Sequence, residues 1–396
     1  MSRKINYKKK FSLLAALVLL VGLVSGCSST ASKDVQPDNV IKIGGVYELT
    51  GNTASFGTSA ANGAKMAFKE MNTKGGILGK QVQFIVADNK SEPAESANAM
   101  SKVISQDKVV AVTGFTVSSN GIAAAAVAEA SKIPFVAAAT VSSDVTVDKA
   151  SGKVKDYVFR VCFVNPFQGM VGANFALNTL KAKKAAIMID NSSDYSKGLT
   201  QVFKEEFIKG GGTIVVEEAY LQKDQDFKTI LTKLKALNPD MIFLPGYYEE
   251  VGKIIKQARE LGMNMPFVGG DGWDSPKLVE IGGAQALNNS YFVNHYSVED
   301  TSLASKTFVE AYKKEYGQIP DAMAVLAYDA AYVLADAITR ANSTEPDKIR
   351  AALAATKNFK GVTGEISMNE SHDAVKSAIM LELKDGKQVY KETIKP

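Results

Sequence analysis

A single thiol stands directly behind two small residues in Val24-Ser25-Gly26-Cys27-Ser28, and this is the spacing at which a chain can be covalently modified. Ahead of it lie the basic residues Arg3, Lys4, Lys8, Lys9 and Lys10, then an almost unbroken apolar run from Phe11 to Leu23. That run is short for a bilayer span and is followed at once by small residues, as in a secretory signal. The stretch resembles a lipobox, in which the cysteine thiol takes up a diacylglycerol and becomes the mature N-terminus. Residues 1–26 are therefore expected to be a lipoprotein signal peptide, with Cys27 the lipidation site. Residues 27–39, small, polar and Pro-containing, suit a flexible tether. The expected location is the extracytoplasmic face of a bacterial cell membrane, with lipid as the only anchor. Two acyl chains hold such a chain firmly, at ~0.8 kcal/mol per buried methylene.

Other reactive groupings are sparse. The sequence has no GxSxG elbow, no HExxH, no GxGxxG after a strand and no Cys/His pair. Gly76-Ile77-Leu78-Gly79-Lys80 only superficially resembles a phosphate loop, because Gln81 stands where Ser or Thr would hold magnesium. Carboxylates are scattered, which argues against glycoside chemistry. With Cys27 acylated, Cys162 is the one remaining thiol and is read as a buried hydrophobe. His295 and His372 lie far apart without zinc-like spacing, so each is expected at the surface or as a satisfied buried group. No catalytic residue, metal site or cofactor is expected. Removing residues 1–26 takes away five basic groups and no acids, which moves the formal charge from +4 to −1. The basicity belongs to the leader, and a nucleic-acid partner loses its support.

The remaining 370 residues are enough for two domains with sizeable cores. Apolar β-rich runs at 41–47, 82–87, 109–113 and 133–137 alternate with helical patterns at 59–71, 94–105 and 122–131. The alternation repeats, with strands at 184–189, 212–217, 241–244 and 266–268 and helices at 199–209, 227–236 and 249–261. Helices follow at 303–316 and 321–341, and a hairpin at 378–394 turns at Lys384-Asp385-Gly386-Lys387. This predicts an α/β fold of two Rossmann-like lobes, each with a parallel central sheet covered by helices, joined by several hinge strands. The expected division is 40–159 with 294–362, and 160–293 with 363–396. No second hydrophobic run is expected to reach membrane-spanning length.

A resemblance becomes specific in the first lobe. Ile43-Gly44-Gly45-Val46, Leu49-Thr50-Gly51, Phe56-Gly57 and Asn72-Thr73-Lys74-Gly75-Gly76-Ile77-Leu78-Gly79 occur in a shared order. Ala87-Asp88, Gly114 with Val117-Ser118-Ser119, and Ala137-Ala138-Ala139-Thr140 continue it. In these motifs the sequence resembles the branched-chain amino-acid-binding proteins of ABC importers, in the type I periplasmic binding protein family, over about residues 40–396.

The resemblance implies a site for a zwitterion with an apolar tail. The carboxylate needs donors, which strand-end loops and helix N-termini supply. Ser118 matches the family's carboxylate-binding hydroxyl, with Ser119 beside it as a contact or N-cap. Ala138, through its carbonyl, and Thr140, through its hydroxyl, match groups that meet the ammonium. From the opposite lobe Asp271, in Gly269-Gly270-Asp271-Gly272-Trp273, stands where the family carries an acid. Tyr195 and Tyr247 match family tyrosines, Phe56 replaces a tyrosine of some members, and Trp273 would cover the side chain or plug the lobe. The expected partners are a free amino acid of the leucine, isoleucine and valine class and the permease subunits of an ABC importer with their cytoplasmic ATPases. The chain is expected to act as a monomer without chemistry of its own. One alternative is a receptor that senses amino acids or small amides for a signalling partner. An extracellular enzyme and a purely structural role rank below both.

Overall fold

Val40–Tyr47 (β1) opens with Ile41 and Ile43 buried around exposed Lys42, then is buried on both faces from Ile43 to Tyr47, as a central parallel strand must be. The computed structural model describes residues 39–396, so the signal peptide, Cys27 and most of the tether lie outside the described residues. Helix Ala54–Thr73 (α1) leads to Gln81–Asp88 (β2), Pro93–Ser105 (α2) and Ala111–Gly114 (β3). Ser118–Ser131 (α3), Phe135–Ala137 (β4) and Val158–Arg160 (β5) complete the first sheet. Its order is β2-β1-β3-β4-β5, all parallel.

The chain then crosses into a second sheet through Asn165–Asn178 (α4), Lys184–Asp190 (β6), Asp194–Lys209 (α5) and Thr213–Tyr220 (β7). Lys228–Ala236 (α6), Met241–Phe243 (β8), Tyr248–Glu260 (α7), Phe267–Gly269 (β9), Pro276–Gly282 (α8) and Ser290–Asn294 (β10) follow. Leu303–Tyr316 (α9), Ala322–Ala341 (α10) and Pro346–Ala354 (α11) return to the first lobe with Phe359–Gly361 (β11), Gly364–Met368 (β12) and Ala374–Val375 (β13). The terminal hairpin Ala378–Lys384 (β14) and Lys387–Ile394 (β15) rejoins the second sheet, turning through Asp385 and Gly386 at φ 50° and 75°. The second sheet runs β15-β14-β10-β9-β8-β6-β7. Without its antiparallel hairpin it has the winding of the first, with β6 in the place of β1, β8 in that of β3 and β9 in that of β4. Two copies of one α/β plan therefore face each other.

The expected division at 362/363 is displaced by the structure. β12 and β13 pair with β11 rather than with the second sheet, and Asp373 lies 2.7 Å from the Arg160 guanidinium of the first lobe. The third crossing accordingly falls at 376–378, after those short strands. Helix α10 matches the expected range to within a residue but is more apolar than expected. Among the described residues it is the one helix that meets a bilayer's length and apolarity, but it is mostly buried in the core. It presses on α1 so closely that a Cβ on Gly63 would stand 2.0 Å from the Ala324 carbonyl oxygen. Only glycine fits at that helix contact.

Candidate functional site

Equivalent strands in the two lobes end at the same crevice. α1 follows β1 and starts at Ala54, which puts Phe56 in its first turn rather than in a loop. α3 follows β3 and starts at Ser118, capped at Val117, so its first amides have no partner within the helix. Ala138 to Thr140 follow β4. Across the crevice Tyr195 follows β6, in the first turn of a helix capped by the Ser193 side chain, which accepts from the Ser196 amide. Tyr247 follows β8 as the residue preceding α7, and Asp271 follows β9. Ligands of open α/β sheets are held at such carboxyl strand ends.

The side chains are close and buried. Phe56 meets Tyr247 edge-on with ring centroids 6.0 Å apart, and Tyr247 stacks on Tyr195 at 5.2 Å. The first of these contacts joins the lobes. The Ser118 hydroxyl accepts from the Ser142 amide at 3.2 Å, which pins the loop after β4 to the start of α3. Thr140 is fully buried, and its hydroxyl has no hydrogen-bond partner within the protein. The Tyr247 hydroxyl is likewise buried without one. Such orphans are rare in protein interiors and carry a desolvation cost until a partner arrives. Burial, and after it the Asp271 charge, push the Tyr195 hydroxyl well above the usual phenol range, so it remains a neutral group.

Asp271 lies at the start of a short 3₁₀ turn, almost wholly buried. Gln168 Nε2 donates to its Oδ1 at 2.8 Å, and His295 Nε2 lies 3.0 Å from its Oδ2. Burial, opposed by Asp271, lowers the His295 pKa to about 4. At neutral pH the contact is thus a neutral N–H donating to a carboxylate rather than an ion pair. The glycines around Asp271 are enforced by crowding, not by openness. A Cβ on Gly270 would stand 2.5 Å from the Tyr195 hydroxyl and 2.9 Å from Gln168 Nε2, and one on Gly272 would stand 2.6 Å from the Gly246 carbonyl.

Two of the expected side chains are engaged by other protein groups. The Trp273 indole is enclosed in the second lobe, where its Nε1 donates to the Leu244 carbonyl at 3.0 Å and the ring fills the space above Gly269. That bond and that packing anchor the indole within the second lobe, as a plug would be. The Ser119 hydroxyl is committed across the crevice, donating to Asp194 Oδ2 at 3.1 Å. It joins lobe to lobe, as do Asn52 Nδ2 to Glu250 Oε1 at 3.2 Å and the Ser55 and Ser275 hydroxyls at 2.8 Å. Phe56, Tyr247 and Tyr195 are in ring contact, the glycines beside Asp271 crowd Tyr195, and Ser118, Ala138 and Thr140 stand at strand ends of the first sheet.

Sequence reasoning passed over several residues that build this crevice. Arg160, at the end of β5, donates to the carbonyls of Thr140 and Ser142 at 2.6 and 2.7 Å and pairs with Asp373, so one buried guanidinium shapes the whole loop after β4. Its position inside the apolar run Val158 to Phe163 was the signal. Glu48, also buried, accepts from Asn89 and Asn120 side chains at 3.1 Å and from the Thr116 hydroxyl at 2.7 Å, binding three strand ends together. Cys162 is buried, and burial pushes its thiol up to about 12, so it is inert. Among the described residues no cluster of His, Cys, Asp or Glu is placed to hold a metal ion. A surface concavity of about 700 Å³ between α1, α9, α10 and β11 is open to solvent and separate from this cluster.

The paired sheets, three crossings and facing strand ends define a two-lobed binding protein. A model of the periplasmic binding protein family matches residues 40–388, and the chain belongs to that family, whose members bind solutes and are not enzymes. A Leu/Ile/Val-binding protein of Rhizobium johnstonii is 31% identical over 343 residues, 86% of this chain and 90% of that one. Among solved structures, a leucine-binding protein of Thermotoga maritima is 37% identical with a TM-score of 0.85, over 90% of this chain and 99% of that one. The branched-chain amino acid transporter substrate-binding protein of Streptococcus pneumoniae, in complex with isoleucine, is 38% identical with a TM-score of 0.85, over 90% of this chain and 100% of that one.

Proposed function

We propose that this protein captures a branched-chain amino acid, or a closely related apolar one, between its lobes and delivers it to an ABC importer from a lipid anchor at Cys27. The observation that carries the reading is the pairing of unlike ends across one buried crevice. Ser118 and the free amides of the α3 N-terminus offer donors to a carboxylate. Asp271 and the Thr140 hydroxyl offer acceptors to an ammonium. Phe56, Tyr195 and Tyr247 form the wall for an apolar side chain. A solute touching both lobes favours their closed arrangement by its differential affinity, and the permease would recognise that arrangement. One methylene in such a pocket is worth only about 1–3 kcal/mol, so overlapping specificity follows.

Calorimetry of the mature chain in mild detergent tests this. Leucine, isoleucine and valine should bind near the micromolar range, about −8 kcal/mol. No heat from these three, with binding of amides, dicarboxylates or aromatic acids, would overturn the substrate class. Cys27→Ser should release the protein from membranes, and continued retention would remove the lipid anchor from the account.

A further inference from the structure

The counter-charge at Asp271 is held from both sides by residues that no part of the preceding reading requires. Gln168 lies on α4, the first helix after the first crossing, and His295 directly follows β10, on the second crossing. Each takes one carboxylate oxygen, at 2.8 and 3.0 Å, and all three side chains are buried. The His295 ring stacks on Phe163 of the first crossing with centroids 3.5 Å apart. Its own amide is fixed by the Asn294 side-chain oxygen at 2.8 Å, and Asn294 in turn donates to Asp274 at 2.8 Å. The ring is therefore immobilised by the hinge itself.

We infer that Gln168 and His295 are positioning residues that clamp the Asp271 carboxylate and aim it at the ligand's ammonium group. The inference rests on the amino-acid reading above and extends it. Each carboxylate oxygen has two lone-pair directions, so a donor on each still leaves one on each for the ligand. A carboxylate fixed before the ligand arrives loses no side-chain freedom on binding, which is the gain of preorganisation. Neutral donors serve this better than a cation, since a charged neighbour would compete with the ammonium for the same oxygens. The clamp also ties the charge to two crossings, so the position of the acid follows the hinge.

A double-mutant cycle read by calorimetry with L-leucine as the probe tests the clamp. His295→Ala should weaken L-leucine about tenfold, and His295→Gln, whose amide can replace the Nε2–H, should retain affinity to within about threefold. In an Asp271→Asn background, itself about tenfold or more weaker, His295→Ala should add less than about threefold, because the residue it serves has lost its charge. Gln168→Leu should behave as His295→Ala does. Melting temperatures of the unliganded variants identify any loss that comes from misfolding, and the rescue by Gln separates positioning from packing. Unchanged affinity in His295→Ala and Gln168→Leu, or full additivity with Asp271→Asn, overturns the clamp while leaving the binding function intact. Wild-type protein that ignores L-leucine overturns the functional reading and the clamp with it.

Discussion

Asp271 shows how a residue identified by its surroundings in the chain acquires its properties from partners distant in the chain. Its glycine neighbours and its place after a strand are visible in sequence, as are Ser118 after β3 and Thr140 after β4. Its two donors are not, because Gln168 and His295 stand 103 and 24 residues away and neither is part of a recognisable pattern. For Trp273 the sequence left cover and plug equally open, and the missing Cβ at Gly269, which gives the indole room inside the lobe, favours the plug. His295 also sets a pH dependence. Its pKa is lowered by burial from 6.5 to about 4, with Asp271 facing it as the group that favours the proton and Lys376 as one that opposes it. A bound ammonium opposes protonation further, so any proton held by the free protein must leave on binding. Affinity should be flat between about pH 8 and 5.5 and fall as the pH approaches 4. The same depression makes this residue's contribution to fold stability decline as pH drops from 6.5 through about 4. Isothermal titrations from pH 8 to 3.5 check the binding profile, and His295→Gln should flatten it. A wild-type profile that is flat down to pH 3.5, or that breaks near pH 7, would contradict the assignment.

At the scale of elements, the regular parts were readable and the short ones were not. β1 to β4 and β6 to β9 lie within a few residues of the apolar runs that predicted them, because buried parallel strands are nearly continuous hydrophobic sequence. α1 and α5 start earlier than their apolar periodicity. Thr53 and Ser193 precede them, and the first turn carries the crevice residues Phe56 and Tyr195 instead of core-facing ones. The strands β11 to β13 are too brief to show a period, and the position of the third crossing was missed with them. The loop after β9 owes its shape to contact rather than to flexibility. Gly270→Ala should therefore drive the Tyr195 hydroxyl and the Gln168 amide apart and weaken L-leucine by about tenfold. Gly283→Ala, where a Cβ would meet nothing within 4 Å but φ is 82°, should cost stability without touching affinity. Titration and thermal melts of the two variants separate these outcomes, and equal affinity losses would mean that the crowding at Gly270 is not specific to the site.

Over the whole molecule, the two sheets share one winding, and the crevice takes its residues from matching strand ends of each. Phe56 and Tyr195, Ser118 and Tyr247, and Thr140 and Asp271 occupy corresponding places after β1 and β6, β3 and β8, and β4 and β9. A solute of the proposed kind lying between them would be gripped by one plan used twice, with Ser118 and Thr140 on one side and the Asp271 carboxylate on the other. The lobes also meet directly through Ser119 and Asp194, Asn52 and Glu250, and Ser55 and Ser275, which are partly buried polar contacts. Polar rim contacts of this kind allow closure to depend on the solute. Trp273 is anchored within the second lobe through Leu244, so heat is a more direct reporter of occupancy than indole emission. The most direct test compares L-leucine with 4-methylpentanoate, which lacks the amine, and with leucine methyl ester, which lacks the free carboxylate, in one calorimetric series. If opposite charges are recognised from opposite halves, removing either should reduce affinity by about a hundredfold or more. Retention of leucine-like affinity by either analogue would contradict that.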